Sequence, residues 1–389
     1  MTLPSFINGN RITLLHNGTE YFPVLEAAIE AAKQEIHLQT YIFKYDSTGI
    51  KIASALKRAA HRGVAVHLLI DGFGSLDFPE KALQDLLAAG VRVLIYRKEV
   101  FSFKLRRNRL RRMHRKLAVI DAGIAFIGGI NIIDDHAELG EAPPRFDHAV
   151  KIEGPLLAAI HKTARRLWML VAWAHFKKRW TAHLELKPIV TPVGNQRAAF
   201  IIRDNLRHRR DIERAYLTAI ATAYREIIIA NAYFLPGRHF RRALIKAARR
   251  GVSVVLLLQG RIEYRLQHYA TRALYGNLLD AGIVIYEYQK SYLHAKVAVI
   301  DHYWSTVGSS NIDPISLLLA REANVVITDH AFAHDLKASL QQAIEDSRPV
   351  SRKHWRTQSW FDRLLNWVSY YIVRILQGIL GYGQERTRV

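Results

Sequence analysis

Two short runs of the chain carry the residue types that phosphate chemistry needs. The first is His114-x-Lys116, with Asp121 and then Gly128-Gly129-x-Asn131 downstream. The second is His294-x-Lys296, with Asp301 and Gly308-Ser309-x-Asn311 at matching spacings. Both HRKLAVID and HAKVAVID read as strands, so His and Lys, two apart, point to one face. The glycine-rich turn allows close backbone approach, and the asparagine adds an amide donor. Each run thus offers an imidazole, an ammonium and an amide, and two facing runs offer two of each. That set suits a phosphodiester: Lys and Asn hold the non-bridging oxygens, one imidazole attacks phosphorus, and the other protonates the leaving oxygen.

The elements that must position these runs are also present twice. Ala55–Gly72 (ALKRAAHRGVAVHLLIDG) and Ala243–Gly260 (ALIKAARRGVSVVLLLQG) are similar along their whole length. EIHLQTYIF matches EIIIANAYF upstream, and LLAAGVRVLIY matches LLDAGIVIYEY downstream. Blocks in the same order mark a tandem duplication of one α/β unit. IHLQTYIF and VAVHLLID are short β-branched and apolar runs, as buried strands should be. Between them Ile50–His61 has helical spacing and stops at Gly63, a fitting C-cap. Strands alternating with helices predict a largely parallel sheet with helices on both faces and a pseudo-two-fold axis. Pro188, Pro192 and Gly194 place the linker near Leu186–Gln196. The expected division is 1–187 for the first unit, 188–350 for the second and 351–389 for a C-terminal segment. A site shared between the halves follows, since ligands sit at the carboxyl ends of strands in such sheets.

The paired H-x-K-x4-D runs with G-[GS]-x-N tails resemble the phospholipase D superfamily. With the C-terminal apolar helix, the chain is similar to bacterial cardiolipin synthases, most closely those of the B type. The resemblance runs from about Arg11 to Glu345. It implies a duplicated α/β/α sandwich and phosphatidyl transfer between two phosphatidylglycerol molecules through a phosphohistidine, with no metal or other cofactor; a phospholipase D that uses water or a small alcohol as acceptor is the alternative, and a phosphodiester nuclease a more distant one. It implies His114 as nucleophile, His294 as general acid and then base, and Lys116, Lys296, Asn131 and Asn311 as phosphate ligands. Asp121 and Asp301, the last members of the motif, are expected to pair with neighbours rather than touch substrate. In this family a carboxylate 25–35 positions after each histidine fixes its tautomer. Asp147, after His114, and Glu322, after His294, are the candidates.

Composition narrows the partners. With 56 Lys+Arg against 34 Asp+Glu the net charge is +22, which favours an anionic lipid surface, nucleic acid or phosphorylated substrates. The absence of Cys excludes disulfides, thiolate nucleophiles and Cys-ligated metals. No run of apolar residues is long enough for a standard transmembrane helix, and the N-terminus does not read as a signal peptide, which favours the cytoplasmic face of the bacterial inner membrane. The remaining histidines show no metal-binding spacing. Ten cations lie between Arg97 and Lys116, leading into His114, and a second cluster spans Arg238–Arg250. From Trp360 the C-terminal segment carries a broad apolar stripe through Trp367, Tyr371, Ile375, Ile379 and Leu380, as an interfacial helix would. RRLWMLVAWAHFKKRW, earlier in the chain, is similar but more basic. A helix docked on the protein's own core is the competing account of the stripe. Few aromatics interleave with the Arg97–Lys116 run, so nucleic acid is not the expected partner. The expected partner is an anionic phospholipid, phosphatidylglycerol, at a membrane surface.

Overall fold

The computed structural model describes residues 5–97, 111–135, 143–181, 186–204, 207–313, 320–357 and 359–381. Most of the Arg97–Lys116 basic run lies outside the described residues, as do the side chains of Ile379 and Leu380. The first copy supplies β1 (Ile7–His16), β2 (Glu35–Thr40), β3 (Ala65–Asp71), β4 (Arg92–Tyr96), β5 (Arg112–Met113), β6 (Lys116–Ile120), β7 (Ile124–Gly128) and β8 (His148–Glu153). The second supplies β9 (Gln196–Arg203), β10 (Glu226–Asn231), β11 (Ser253–Gln259), β12 (Val284–Tyr288), β13 (Lys296–Ile300), β14 (Trp304–Gly308), β15 (Ala320–Thr328) and β16 (Ser347–Pro349).

These strands form one sheet, ordered β16-β12-β11-β10-β13-β14-β15-β9-β1-β8-β7-β6-β2-β3-β4, with β5 paired on β15. Outward from the β9–β1 junction the two sides repeat each other as far as β12 and β4, with β16 added beyond β12, which is the expected pseudo-two-fold arrangement. The expectation of a largely parallel sheet is corrected. In the main strand order, β2–β3, β3–β4, β10–β11 and β11–β12 are parallel, and the other pairs are antiparallel. The helix Ser47–His61 joins β2 to β3, as a parallel crossover requires, whereas β6–β7 and β13–β14 are tight hairpins, which reverse direction.

Helices cover both faces. The helices Leu157–Ala174 and His330–Glu345 lie over a core that is continuous across the junction, from Leu117, Val119 and Ile127 to Val297, Val299 and Val307. Ser47–His61 begins with Asp46 accepting from the Gly49 N–H at 3.0 Å and ends before Gly63 at φ +87°.

The motif aspartates build the two hairpins. Asp121 and Ala122 have φ 49° and 47°, and Asp301 and His302 have 52° and 56°. Two successive left-handed residues make the type I′ turn that suits strand twist, and aspartate tolerates that region better than most residues. The Asp121 carboxylate accepts from the Lys33, Gln34 and Glu35 N–H groups at 2.8, 2.8 and 2.9 Å. Asp301 accepts from Tyr224, Arg225 and Glu226 at 3.1, 2.9 and 3.0 Å. Each aspartate therefore ties the hairpin to the start of β2 or β10, at the far end of the strand from the lysine.

The C-terminal helix, Trp360–Gly381, packs on the helix Arg265–Arg272. Asn366, Ser369 and Val373 are buried in this contact, at i, i+3 and i+7. The apolar stripe faces out: Trp360, Phe361, Leu364, Trp367, Tyr371 and Ile375 are each at least 40% exposed. The helix docks by a narrow mixed face and leaves its broad apolar face bare. In the earlier Trp-rich segment, Trp168 is buried against Trp180, while Trp173 and Phe176 are exposed.

Asp121→Ala and Asp301→Ala should each lower stability by about 2–4 kcal/mol, because three backbone donors lose a charged acceptor. Urea denaturation of the purified variants measures this, and an unmoved midpoint would contradict the structural role.

Candidate active site

The histidines stand just before β6 and β13, and the lysines are the first residues of those strands. Backbone pairing brings each histidine to the other copy. The His114 N–H donates to the Arg321 carbonyl at 3.0 Å, and the His294 N–H donates to the Phe146 carbonyl at 2.8 Å. Arg321 and Phe146 each precede a candidate carboxylate. The consequence is a crossed pairing: His114 Nδ1 lies 3.0 Å from Glu322 Oε1, and His294 Nδ1 lies 2.6 Å from Asp147 Oδ2. Both carboxylates bond a histidine, but not the one they follow in sequence. The expected pairing of Asp147 with His114 and Glu322 with His294 is corrected. The cause is that β5 pairs in parallel with β15, and Phe146 bridges in parallel to Leu293.

Each carboxylate is held by the glycine-rich turn of its own copy. At Gly129 an added Cβ would stand 2.2 Å from Asp147 Oδ1, so only glycine lets this short acid in. In the second copy the acid is the longer Glu322, and Ser309 Oγ donates to it at 2.5 Å. The Gly129-to-Ser309 difference between the motifs therefore follows the Asp-to-Glu difference.

Lys116 and Lys296 are buried, and each donates to the carbonyl of its own histidine, Lys116 at 2.7 Å. Burial and the Lys296 ammonium push Lys116 down to about 7. Burial pushes Lys296 down to about 8 against the pull of Asp147 and Glu322. Burial, then Lys296, pushes His294 down to about 3, against Asp147. Burial works against the Asp147 charge, but Lys296 and His294 outweigh it and hold the carboxyl below its ordinary value. An Nδ1–H held on a carboxylate leaves Nε2 with its lone pair, the tautomer that attacks or accepts a proton. Asn131 Oδ1 accepts from the Ile42 N–H at 3.2 Å, and Asn131 lines a small cavity with Asp147 and His294. Asn311 is buried, and its Oδ1 has no hydrogen-bond partner among the described residues. Two lysines short of negative charge, with amides and imidazoles nearby, form an oxyanion site that a phosphodiester would complete.

Three supporting residues escaped the motif reading. Asp71 Oδ2 accepts from the Met113 N–H at 2.8 Å, and Gln259 Oε1 accepts from the Leu293 N–H at 3.0 Å. Each holds the residue just before a motif histidine. They occupy equivalent ends of the LLID-Gly and LLLQ-Gly repeats, which is the signal that could have found them. Tyr41 packs edge-on against His114 at 4.8 Å between ring centroids, with Lys116 Nζ 5.3 Å from its ring centre.

A separate polar cluster lies under the helix Leu157–Ala174. Glu35, His37 and His67 bring ligand-type atoms within 4.8 Å of one another, with His161 Nε2 3.3 Å from Glu35. Arg92 donates to His67 Nε2 at 3.1 Å, and a guanidinium there opposes a second cation. The second copy has Ile228 and Val255 at the positions of His37 and His67, so the fold itself does not require them.

Comparison with known proteins gives the family. The family described as cardiolipin synthase, PLD-like domain, matches residues 25–168 and 216–344. The chain belongs to this family. It is 40% identical over 380 residues to cardiolipin synthase B of Salmonella typhi, covering 97% of this chain and 91% of that protein. It is 39% identical over 384 residues to cardiolipin synthase B of Escherichia coli K12, covering 98% and 92%. Among solved structures, phosphatidylserine synthase of Haemophilus influenzae Rd KW20 superposes with a TM-score of 0.70 at 14% identity, covering 97% and 96%. At that identity the likeness concerns the fold alone.

The crossed pairing is measurable as coupling. Double-mutant cycles on stability should give about 1–3 kcal/mol for His294 with Asp147 and for His114 with Glu322, and near zero for His114 with Asp147. Coupling within a copy instead of between copies would refute the geometry.

Proposed function

We propose that the protein is a phosphatidyltransferase that converts two phosphatidylglycerol molecules into cardiolipin and glycerol. The observation that carries this reading is the pair of imidazoles, each fixed through Nδ1 by a carboxylate of the other copy and flanked by a buried lysine. His114 Nε2 attacks the lipid phosphorus, the N–P bond forms, and the P–O bond to the headgroup glycerol breaks. His294 gives its proton to the departing glycerol oxygen. His294 then takes the proton of a second lipid's hydroxyl, that oxygen bonds phosphorus, and the N–P bond breaks. Bonds of nearly equal energy are exchanged, so the reaction needs no nucleotide. Burial holds the His294 imidazole well below its ordinary range. It acts as an acid once the lipid phosphate, an anion between Lys116 and Lys296, raises its proton affinity. Lys116, Lys296, Asn131 and Asn311 hold the non-bridging oxygens.

The bare apolar face of the helix Trp360–Gly381 supports work at a membrane surface. Among the described residues no helix is long and apolar enough to cross a membrane. A contiguous exposed apolar stripe with tryptophan at its start suits burial at the headgroup boundary. The net charge of +22 adds attraction to anionic lipids.

Incubation of the purified protein with labelled phosphatidylglycerol vesicles should yield cardiolipin and glycerol. His114→Ala should lower the rate by at least about a thousandfold, the scale on which loss of a nucleophile is felt. Phosphatidic acid as the sole product would make the enzyme a hydrolase and overturn the transferase reading. Replacing Trp360, Phe361, Leu364 and Tyr371 with serine should release the protein from sedimenting anionic vesicles. Unchanged sedimentation would show that another surface binds lipid.

A further inference from the structure

The two copies differ where an alcohol would have to sit. Tyr41 fills the space beside His114, and the equivalent residue in the second copy is Ala232. The Ala232 N–H donates to the Ala295 carbonyl at 3.0 Å, so the space left by the missing ring adjoins the residue after His294. A pocket opens there, at the carboxyl ends of β10 and β11, lined by Ala232, Tyr233, Arg261, Glu263, Gln267 and His268. Tyr233 Oη donates to Glu263 Oε2 at 2.7 Å. Gln259 also lines the pocket and accepts from the Leu293 N–H at 3.0 Å, so the pocket borders the residue before His294 as well. Burial and then Arg272 hold His268 down to about 4, so it presents a neutral imidazole.

This is a set of groups for hydroxyls rather than for phosphate. Arg261 and Glu263 offset each other in charge, so the pocket carries no excess of cations for a second phosphate, while a carboxylate, a phenol, an amide and an imidazole can together accept from and donate to adjacent hydroxyls. We propose that this pocket is the subsite for a vicinal diol: the headgroup glycerol of the lipid that accepts the phosphatidyl group. The proposal rests on the transferase reading above. Because His294 serves the departing and the incoming oxygen in turn, the same pocket receives the leaving glycerol first and the acceptor headgroup next. The attacking primary hydroxyl faces His294, and the neighbouring hydroxyl meets Glu263 and Tyr233. In the first copy the Tyr41 ring takes the equivalent position, against His114.

The test uses the full chain, phosphatidylglycerol vesicles and three soluble acceptors at equal concentration: propane-1,2-diol, 1-propanol and ethanolamine. The phosphatidyl adducts are quantified by mass spectrometry. The diol and 1-propanol differ by one hydroxyl, and a site built to bond a hydroxyl discriminates strongly against its absence. The wild type should favour the diol adduct over the propanol adduct at least tenfold. Tyr233→Phe and Glu263→Gln should bring that ratio close to one. Ala232→Tyr, which installs the side chain found in the first copy, should do the same. Equal adducts from the wild type, or an unchanged ratio in all three variants, would overturn the diol subsite while leaving transfer intact. A dominant ethanolamine adduct would reassign the pocket to an ammonium and overturn it as well. Absence of both cardiolipin and adducts from the wild type would overturn the transferase reading and this subsite with it.

Discussion

The structure depends on the exchange of a carboxylate between the two copies. Glu322 and Asp147 are both buried, and each is bonded to the Nδ1 of a histidine from the other half of the chain. A buried carboxylate without a partner is costly, and a buried imidazole without one has no fixed tautomer. Satisfying both needs forces the halves into one relative position. The backbone bonds from His114 to Arg321 and from His294 to Phe146 fix that position further. Neither half contains a complete site by itself. Duplication in one chain removes the need for a second subunit to complete it.

The same constraint sets the electrostatics. Two lysines are packed into a region that disfavours their charge, with Asp147 and Glu322 as the opposing charges. Such a site has fixed dipoles and cations in place before substrate arrives and is completed by one further anion. The motif aspartates stand outside this balance. Their carboxylates hold the hairpins from behind, so the strands that begin with Lys116 and Lys296 are anchored at both ends.

Symmetry ends at the surface. The second copy opens a polar pocket where the first has Tyr41, and it carries the C-terminal helix against the helix Arg265–Arg272, one wall of that pocket. The apolar face of the C-terminal helix is turned outward, which is the reverse of a helix docked on a core. Its position links a candidate lipid-facing surface to the pocket that borders Leu293 and Ala295, the residues on either side of His294.

Much of this was legible in the sequence. The repeat blocks, the paired motifs and their strand periodicity follow from local chemistry: spacing sets which face a side chain takes, and apolar runs mark buried strands. These determined the duplication and the candidate reacting residues, and the resemblance they carry pointed to the family and to the structural part played by Asp121 and Asp301. Other features had no local signature. β1, β8, β9 and β15, which join the halves, lie outside the most similar repeat blocks, and the reversal of β6 against β2 and of β13 against β10 has no local signature, so the sheet came out mixed rather than largely parallel. The partner of each histidine could not be read from distance along the chain. Counting forward gave the carboxylate of the same copy, whereas pairing of β5 with β15 brought in the other. Asp71 and Gln259 act on backbone groups of residues far away in sequence, and the outward turn of the C-terminal stripe depends on where Asn366 and Ser369 find a surface. The sequence determined which groups are offered for chemistry, because that depends on residue type and local periodicity. Tertiary structure alone decided which groups meet, because hydrogen bonds between the copies form only once the sheet is assembled.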